Sequence, residues 1–295
     1  MLFHPESMKI TALLATATLA LAAHAGEPPL DIFAYDRTAP LQVTEAGRET
    51  RGGALVRDIT FVPADLPVKA YIVAPAGGAT AGAAILYVHW LGEPETTNRT
   101  EFLTEAVAFA ERGVTSVLVD TMWAAPKWYG KRVPEDDYAQ AIHQVIELRR
   151  AMDLLLAQPG IDPARVAFVG HDFGAMYGMI ASAADRRAKA YVFMSPTPHF
   201  IDWFLFARKP KDLEAYRTQI SAIDPVRYVP KLAPARIFFQ FANKDEYVTA
   251  EEAAEYYAAA GVPKQTATYE AGHDLHTPEV AADRVAWLGR ELGLK

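Results

Sequence analysis

Val166-Ala-Phe-Val169 is followed by Gly170-His171-Asp172-Phe173-Gly174 and then by Ala175-Met-Tyr-Gly-Met-Ile180. The four apolar residues read as a strand buried on both faces. The residues from about Ala175 read as the start of a helix. The two glycines let the backbone turn sharply while strand and helix approach closely. A strand, Gly-x-Asp-x-Gly and a helix together make a nucleophile elbow, with Asp172 where a serine usually stands. Taken alone, the same five residues would be a loop with an N-capping aspartate, so the remainder of the chain has to decide.

Working outward, Phe239-Gln-Phe-Ala-Asn243-Lys244-Asp245-Glu246 places an acid just past a strand end, and Glu270-Ala-Gly272-His273-Asp274 places a histidine just after the last strand. Nucleophile, acid and histidine follow in the chain order of one known triad, each at the carboxyl end of a strand, where parallel sheets build their sites. Upstream, Leu55–Pro63, Val68–Pro75, Ala84–His89 and Ser116–Asp120 read as strands, with Ala190–Met194, Ile237–Phe241 and Ala267–Tyr269 completing the set. Helical spacing marks Glu101–Arg112, Asp136–Gln158, Ala250–Ala260 and Val280–Leu292. This alternation predicts a single α/β domain over residues 26–295, its mostly parallel sheet covered on both faces. Thr197–Pro234 breaks the alternation and is too long for an ordinary connection. Its many aromatics suggest a short, partly helical lid.

The 295 residues are 51% apolar with a net charge of −7 and no cysteine. That excludes disulfides and thiolate chemistry, and the absence of a basic run argues against nucleic-acid binding. Met8-Lys9, the apolar stretch from Ile10 to Ala23 and Ala23-His24-Ala25 form the pattern of a secretory signal over residues 1–25. The mature chain is then expected to begin at Gly26, secreted or periplasmic, with no stable membrane association after cleavage.

With the elbow, Asp245, His273 and the strand order in hand, residues 50–290 resemble the α/β-hydrolase superfamily. Asp224-Pro-Val-Arg-Tyr-Val-Pro230 and Asn243-Lys-Asp-Glu-Tyr-Val248 are most similar to its dienelactone-hydrolase and acyl-peptidase-like branch. The Gly-His-Asp-Phe-Gly elbow instead resembles epoxide hydrolases and haloalkane dehalogenases. The resemblance implies that Asp172 attacks, that His273 activates water, and that Asp245 orients the imidazole, with Glu246 and Asp274 in reserve. It implies oxyanion donors from the Phe173 N–H and from Trp90 or Leu91 in the His89-Trp90-Leu91-Gly92 loop. Candidates to contact a small-molecule substrate are His89, Tyr177, Trp203, Tyr216 and Tyr228.

Chemistry narrows the substrate. A carboxylate attacking an acyl carbon gives a reactive anhydride, whereas attack on a saturated carbon gives an alkyl ester that water can cleave. The favoured reading is therefore water addition to a small apolar electrophile, an epoxide first, with the lid tyrosines Tyr216 and Tyr228, or Tyr177 one turn into the elbow helix, donating the proton. A dienelactone-hydrolase-like esterase or lactonase is the alternative. A homologue that binds without catalysis is another, and a metal held by the His171-Asp172 and His273/His276 pairs is a third. The triad pattern accounts for Asp172 and His273 without a metal, and no cofactor is expected.

Overall fold

The computed structural model describes residues 26–78, 82–93 and 97–294. The expected signal and its cleavage site lie outside the described residues. In chain order the strands are β1 (Thr44–Arg51), β2 (Ala54–Phe61), β3 (Val68–Pro75), β4 (Ala84–Val88), β5 (Thr115–Val119), β6 (Val166–His171), β7 (Ala190–Met194), β8 (Arg236–Ala242) and β9 (Lys264–Tyr269). The helices are α1 (Leu103–Glu111), α2 (Trp128–Lys131), α3 (Asp137–Leu156), α4 (Phe173–Asp185), α5 (Phe200–Ala207), α6 (Leu213–Ser221), α7 (Ala250–Ala259) and α8 (Pro278–Glu291).

The strands form one sheet in the order β1-β2-β3-β5-β4-β6-β7-β8-β9. The first two hairpins and the β3–β5 pair are antiparallel, and every pairing from β5 to β9 is parallel. Successive side chains of a strand point to opposite faces, so an apolar run feeds two cores at once. Leu86, Val88, Phe168, Phe193 and Phe239 pack beneath α3 and α4. Ile85, Tyr87, Val169, Val192 and Phe238 pack against Phe109, Trp287 and Leu288 on the other side. β4 and β6 lie mid-sheet, which puts the carboxyl end of β6 at the centre of the top edge.

β1 went unread in the sequence because Thr-Glu-Ala-Gly-Arg-Glu-Thr-Arg has no apolar alternation. It is an edge strand, nearly all exposed, held through its main-chain ladder to β2. Thr197–Pro234 carries α5, α6 and two single-turn helices, and it buries Phe200, Phe204, Tyr216 and Ile220. Among the described residues no helix is long and apolar enough to cross a membrane.

Candidate active site

The turn between β6 and α4 is tight because nothing but glycine fits beside it. A Cβ on Gly174 would lie 2.3 Å from the Val88 carbonyl oxygen, and one on Gly170 would lie 2.5 Å from the Gly174 carbonyl oxygen. Both obstacles are main chain and cannot swing aside. Asp172 takes up the remaining strain at φ 50°, ψ −115°, a conformation that an L-residue holds only when its surroundings impose it. Phe173 is the first residue of α4, so its N–H is among those a helix N-terminus leaves without an intrahelical partner.

Asp245 follows the end of β8 and His273 follows the end of β9, both beside the elbow. His273 Nδ1 lies 2.9 Å from each carboxylate oxygen of Asp245. Asp245 Oδ1 also accepts the N–H groups of Tyr247 and Val248, at 2.9 and 3.0 Å. Those bonds fix the carboxylate before the imidazole arrives. His273 Nε2 faces Asp172 Oδ1 at 3.6 Å, beyond a hydrogen bond. Both atoms are buried and neither has a hydrogen-bond partner among the described residues. Burial opposes a charge on His273, but the Asp172 and Asp245 carboxylates on either side raise its pKa to about 10. Burial likewise opposes the Asp245 charge, and the bond to His273 holds that carboxyl below its usual value.

The oxyanion loop divides its work differently from the sequence reading. Leu91 N–H donates to Asp172 Oδ2 at 3.1 Å. Trp90 N–H donates instead to Glu101 Oε2 at 2.9 Å, which removes it as an oxyanion donor. The Trp90 ring still borders the site, tilted 5.8 Å from His273, with a buried and unpartnered indole N–H.

The substrate-contact candidates separate. Trp203 on α5 packs 6.1 Å from His273 and 5.6 Å from Phe173, and its indole N–H is also buried and unpartnered. Tyr177 is fully buried beside Trp123 and Phe200, its hydroxyl unpartnered. The other three are corrected. His89 uses both ring nitrogens within the protein: Nδ1 donates to the Trp90 carbonyl at 2.8 Å, and Nε2 accepts from the Thr121 hydroxyl at 2.9 Å. Tyr216 donates to Asp137 at 2.5 Å, inside a buried pair with Arg132. Tyr228 bonds the carbonyls of Pro29 and Ala222, at 3.2 and 3.3 Å, and so anchors the N-terminal segment. The reserve acid Asp274 is half-exposed and turns toward His276.

Four residues that frame the site were missed. Trp123 and Trp128 form a wall around Phe173 at 5.6 and 6.0 Å. Tyr247 stands edge-on to His273 at 5.0 Å. Glu101 lies behind the elbow. The cluster Met122-Trp-Ala-Ala-Pro-Lys-Trp-Tyr129 was a visible signal for the wall, since a loop so aromatic needs something to cover.

The metal alternative loses His171 as a donor. His171 Nδ1 lies 2.7 Å from Glu101 Oε1 and Nε2 lies 3.0 Å from the His273 carbonyl oxygen, so neither nitrogen has a lone pair to offer.

A mostly parallel sheet, a strained residue at the β6–α4 turn, and an acid and histidine past β8 and β9 together define one architecture. The chain has the α/β-hydrolase fold. Solved structures agree. An acetyl xylan esterase from Thermoanaerobacterium sp. superposes with a TM-score of 0.70 at 14% identity, covering 90% of this chain and 95% of that one. An acetyl xylan esterase from Paenibacillus sp. R4 gives 0.69 at 17%, over 85% and 89%. A protein of Klebsiella pneumoniae proposed to be a dienelactone hydrolase gives 0.57 at 14%, over 85% and 98%. In sequence, a polyketide transferase of Stachybotrys chlorohalonatus is 33% identical over 96 residues, which is 32% of this chain and 31% of that protein's length. No family model matches the chain.

Proposed function

We propose that the protein is a hydrolase in which Asp172 attacks a carbon atom of the substrate and His273, held by Asp245, activates the water that releases the product. One observation carries this reading. Asp172 already has Oδ2 on the Leu91 N–H while Oδ1, unpartnered, faces the imidazole. After Oδ1 bonds to carbon, Oδ2 is the carbonyl oxygen of an alkyl ester. Water attacking Cγ would then develop negative charge on Oδ2, where the Leu91 donor already stands. Alkylation also removes one of the two anions that hold the His273 proton, and so turns the imidazole toward its role as base.

The substrate class is an ester or lactone rather than an epoxide. The two lid tyrosines that would protonate an epoxide's alkoxide have their hydroxyls bonded elsewhere, and Tyr177, whose hydroxyl is free, is fully buried against Trp123 and Phe200. A carboxylate departs as a stable anion and needs no proton, and the free indole N–H groups of Trp90 and Trp203 are donors suited to it. Esterases and a dienelactone hydrolase among the structural neighbours favour the same class. Because acyl attack would give an anhydride, the bond broken is the one between the alkyl carbon and oxygen.

A single turnover in heavy-oxygen water tests the reaction. The expected label is in the Asp172 carboxylate, with none in either product. Label in the product acid would mean direct attack of water on the acyl carbon and would overturn the covalent route. No turnover on a broad panel of esters, lactones and epoxides would favour a binding protein instead. We further propose export and cleavage after Ala25, which N-terminal sequencing of exported material checks.

A further inference from the structure

Glu101 sits just ahead of α1 with its carboxylate almost wholly buried, and the reaction proposed above leaves it without a task. Its two oxygens divide between two loops. Oε1 meets His171 Nδ1 at 2.7 Å, and Oε2 accepts the Trp90 N–H at 2.9 Å. The far side of the same imidazole, Nε2, meets the main-chain oxygen of His273 at 3.0 Å. Trp90 closes the arrangement by stacking on His171, with centroids 5.3 Å apart and planes inclined by 18°.

A carboxylate and a carbonyl oxygen are both acceptors. A histidine between them donates from both nitrogens, so His171 carries a positive charge balanced by Glu101. Burial opposes the Glu101 charge, and the His171 cation beside it holds the carboxyl below its usual value. Such a buried pair contributes little net stability compared with apolar side chains of the same volume. Its geometric effect is larger. Trp90 precedes Leu91, the donor to Asp172 Oδ2. His171 precedes Asp172. The third anchor is the main chain of His273 itself. Each anchor therefore lies within one residue of a group that the reaction uses.

We propose that the Glu101–His171 ion pair is the positioning device of this site, tying the oxyanion loop, the elbow and the histidine loop into one register. The inference rests on the catalytic reading above. Displacements of about 1 Å at reacting groups cost on the order of 100-fold in rate, and three independently moving loops would exceed that tolerance.

The test has two arms on the full chain. The first needs no substrate. In protein with nitrogen-15-labelled histidine at pH 7, both ring nitrogens of His171 should show one-bond coupling to a proton, and Glu101→Gln should shift the ring resonances of His273. A singly protonated His171 in the parent overturns the proposal even if the variants unfold on purification, and a His273 spectrum indifferent to Glu101→Gln in folded protein overturns it too. The second arm follows hydrolysis of 4-nitrobenzyl acetate, whose benzylic carbon is open to the alkyl attack proposed above, by release of 4-nitrobenzyl alcohol. Glu101→Gln and His171→Gln should each lower kcat about 10- to 100-fold with KM within about twofold. A drop in Tm with kcat intact, or a rise in KM alone, would mark the pair as merely structural. Full turnover by Asp172→Asn would instead bring down the nucleophile assignment, while the histidine spectra still report on the ion pair.

Discussion

Leu91 donates its main-chain N–H to Asp172 Oδ2 at 3.1 Å, so the carboxylate rests in the donor position that an acyl oxyanion would need. A serine at this turn would leave that donor to the substrate. An aspartate uses it for its own second oxygen, and the proposed reaction accordingly turns from attack on an acyl carbon to attack on an alkyl one.

Replacing Asp172 by Asn should abolish turnover in a chain that still folds, because the side chain keeps its shape and loses only its charge. The same change removes the first of the two carboxylates that raise His273 to about 10. The His273 pKa, followed by proton NMR, should therefore fall toward its ordinary value near 6.5. An unchanged His273 titration would mean that Asp172 is not its charge partner.

Stability should follow the same ionisation. The folded pKa of His273 lies above its ordinary value of about 6.5, so its contribution is complete below about pH 6.5 and is lost as pH rises through about 10. Thermal unfolding between those values should show a falling Tm in the parent and a smaller fall in Asp172→Asn. Parallel curves for the two proteins would contradict this linkage.

If His273 activates the releasing water, His273→Gln should still be alkylated at Asp172 but not freed. Mass spectrometry of the peptide containing Asp172 should then show a stoichiometric adduct with a true substrate. Slow turnover without an adduct would argue against the ester intermediate.

Arg132 and Asp137 form a buried pair at 2.6 Å beneath the segment that carries α5 and α6. Arg132→Met should cost about 3–5 kcal/mol in urea unfolding, because it strands a buried carboxylate. Adding Asp137→Leu should regain part of that loss, leaving the Tyr216 hydroxyl as the remaining deficit. A single variant as stable as the parent would show that water reaches Asp137.

Two surface-independent controls bracket these effects. Gly174→Ala should cost more than the roughly 1–3 kcal/mol of ordinary overpacking, since its methyl group would meet the Val88 carbonyl at 2.3 Å. Thr249→Ala removes the side chain that caps α7 in a reciprocal pair with Glu252. That change should cost about 0.5–2 kcal/mol and leave turnover alone.

The elbow and the acid were legible because each follows a strongly apolar run, and apolar runs are what a doubly covered parallel sheet requires. The histidine was legible from its place just after the last strand and from the chain order of the three residues. β7 was read to the residue from its apolar run, and β3 from the Pro and Gly-rich turns that flank it. β1 was not, since an exposed edge strand depends on main-chain pairing rather than on side-chain pattern. Tyr216 and Tyr228 were read as facing the substrate from the aromatic character of their segment. Composition places a ring in a lid but does not say where its hydroxyl points.

By itself the sequence determined the sheet, the order of the three polar residues and their place at strand ends, because hydrophobic periodicity and glycine sterics act over a few residues. Only the tertiary structure decided which oxygen of Asp172 meets Leu91, that Trp90 turns to Glu101, and that His171 bridges Glu101 to the His273 main chain. The last of those choices joins positions 70 and 102 residues apart. Over such distances a hydrogen bond depends on where two loops end in space, and no local pattern records that.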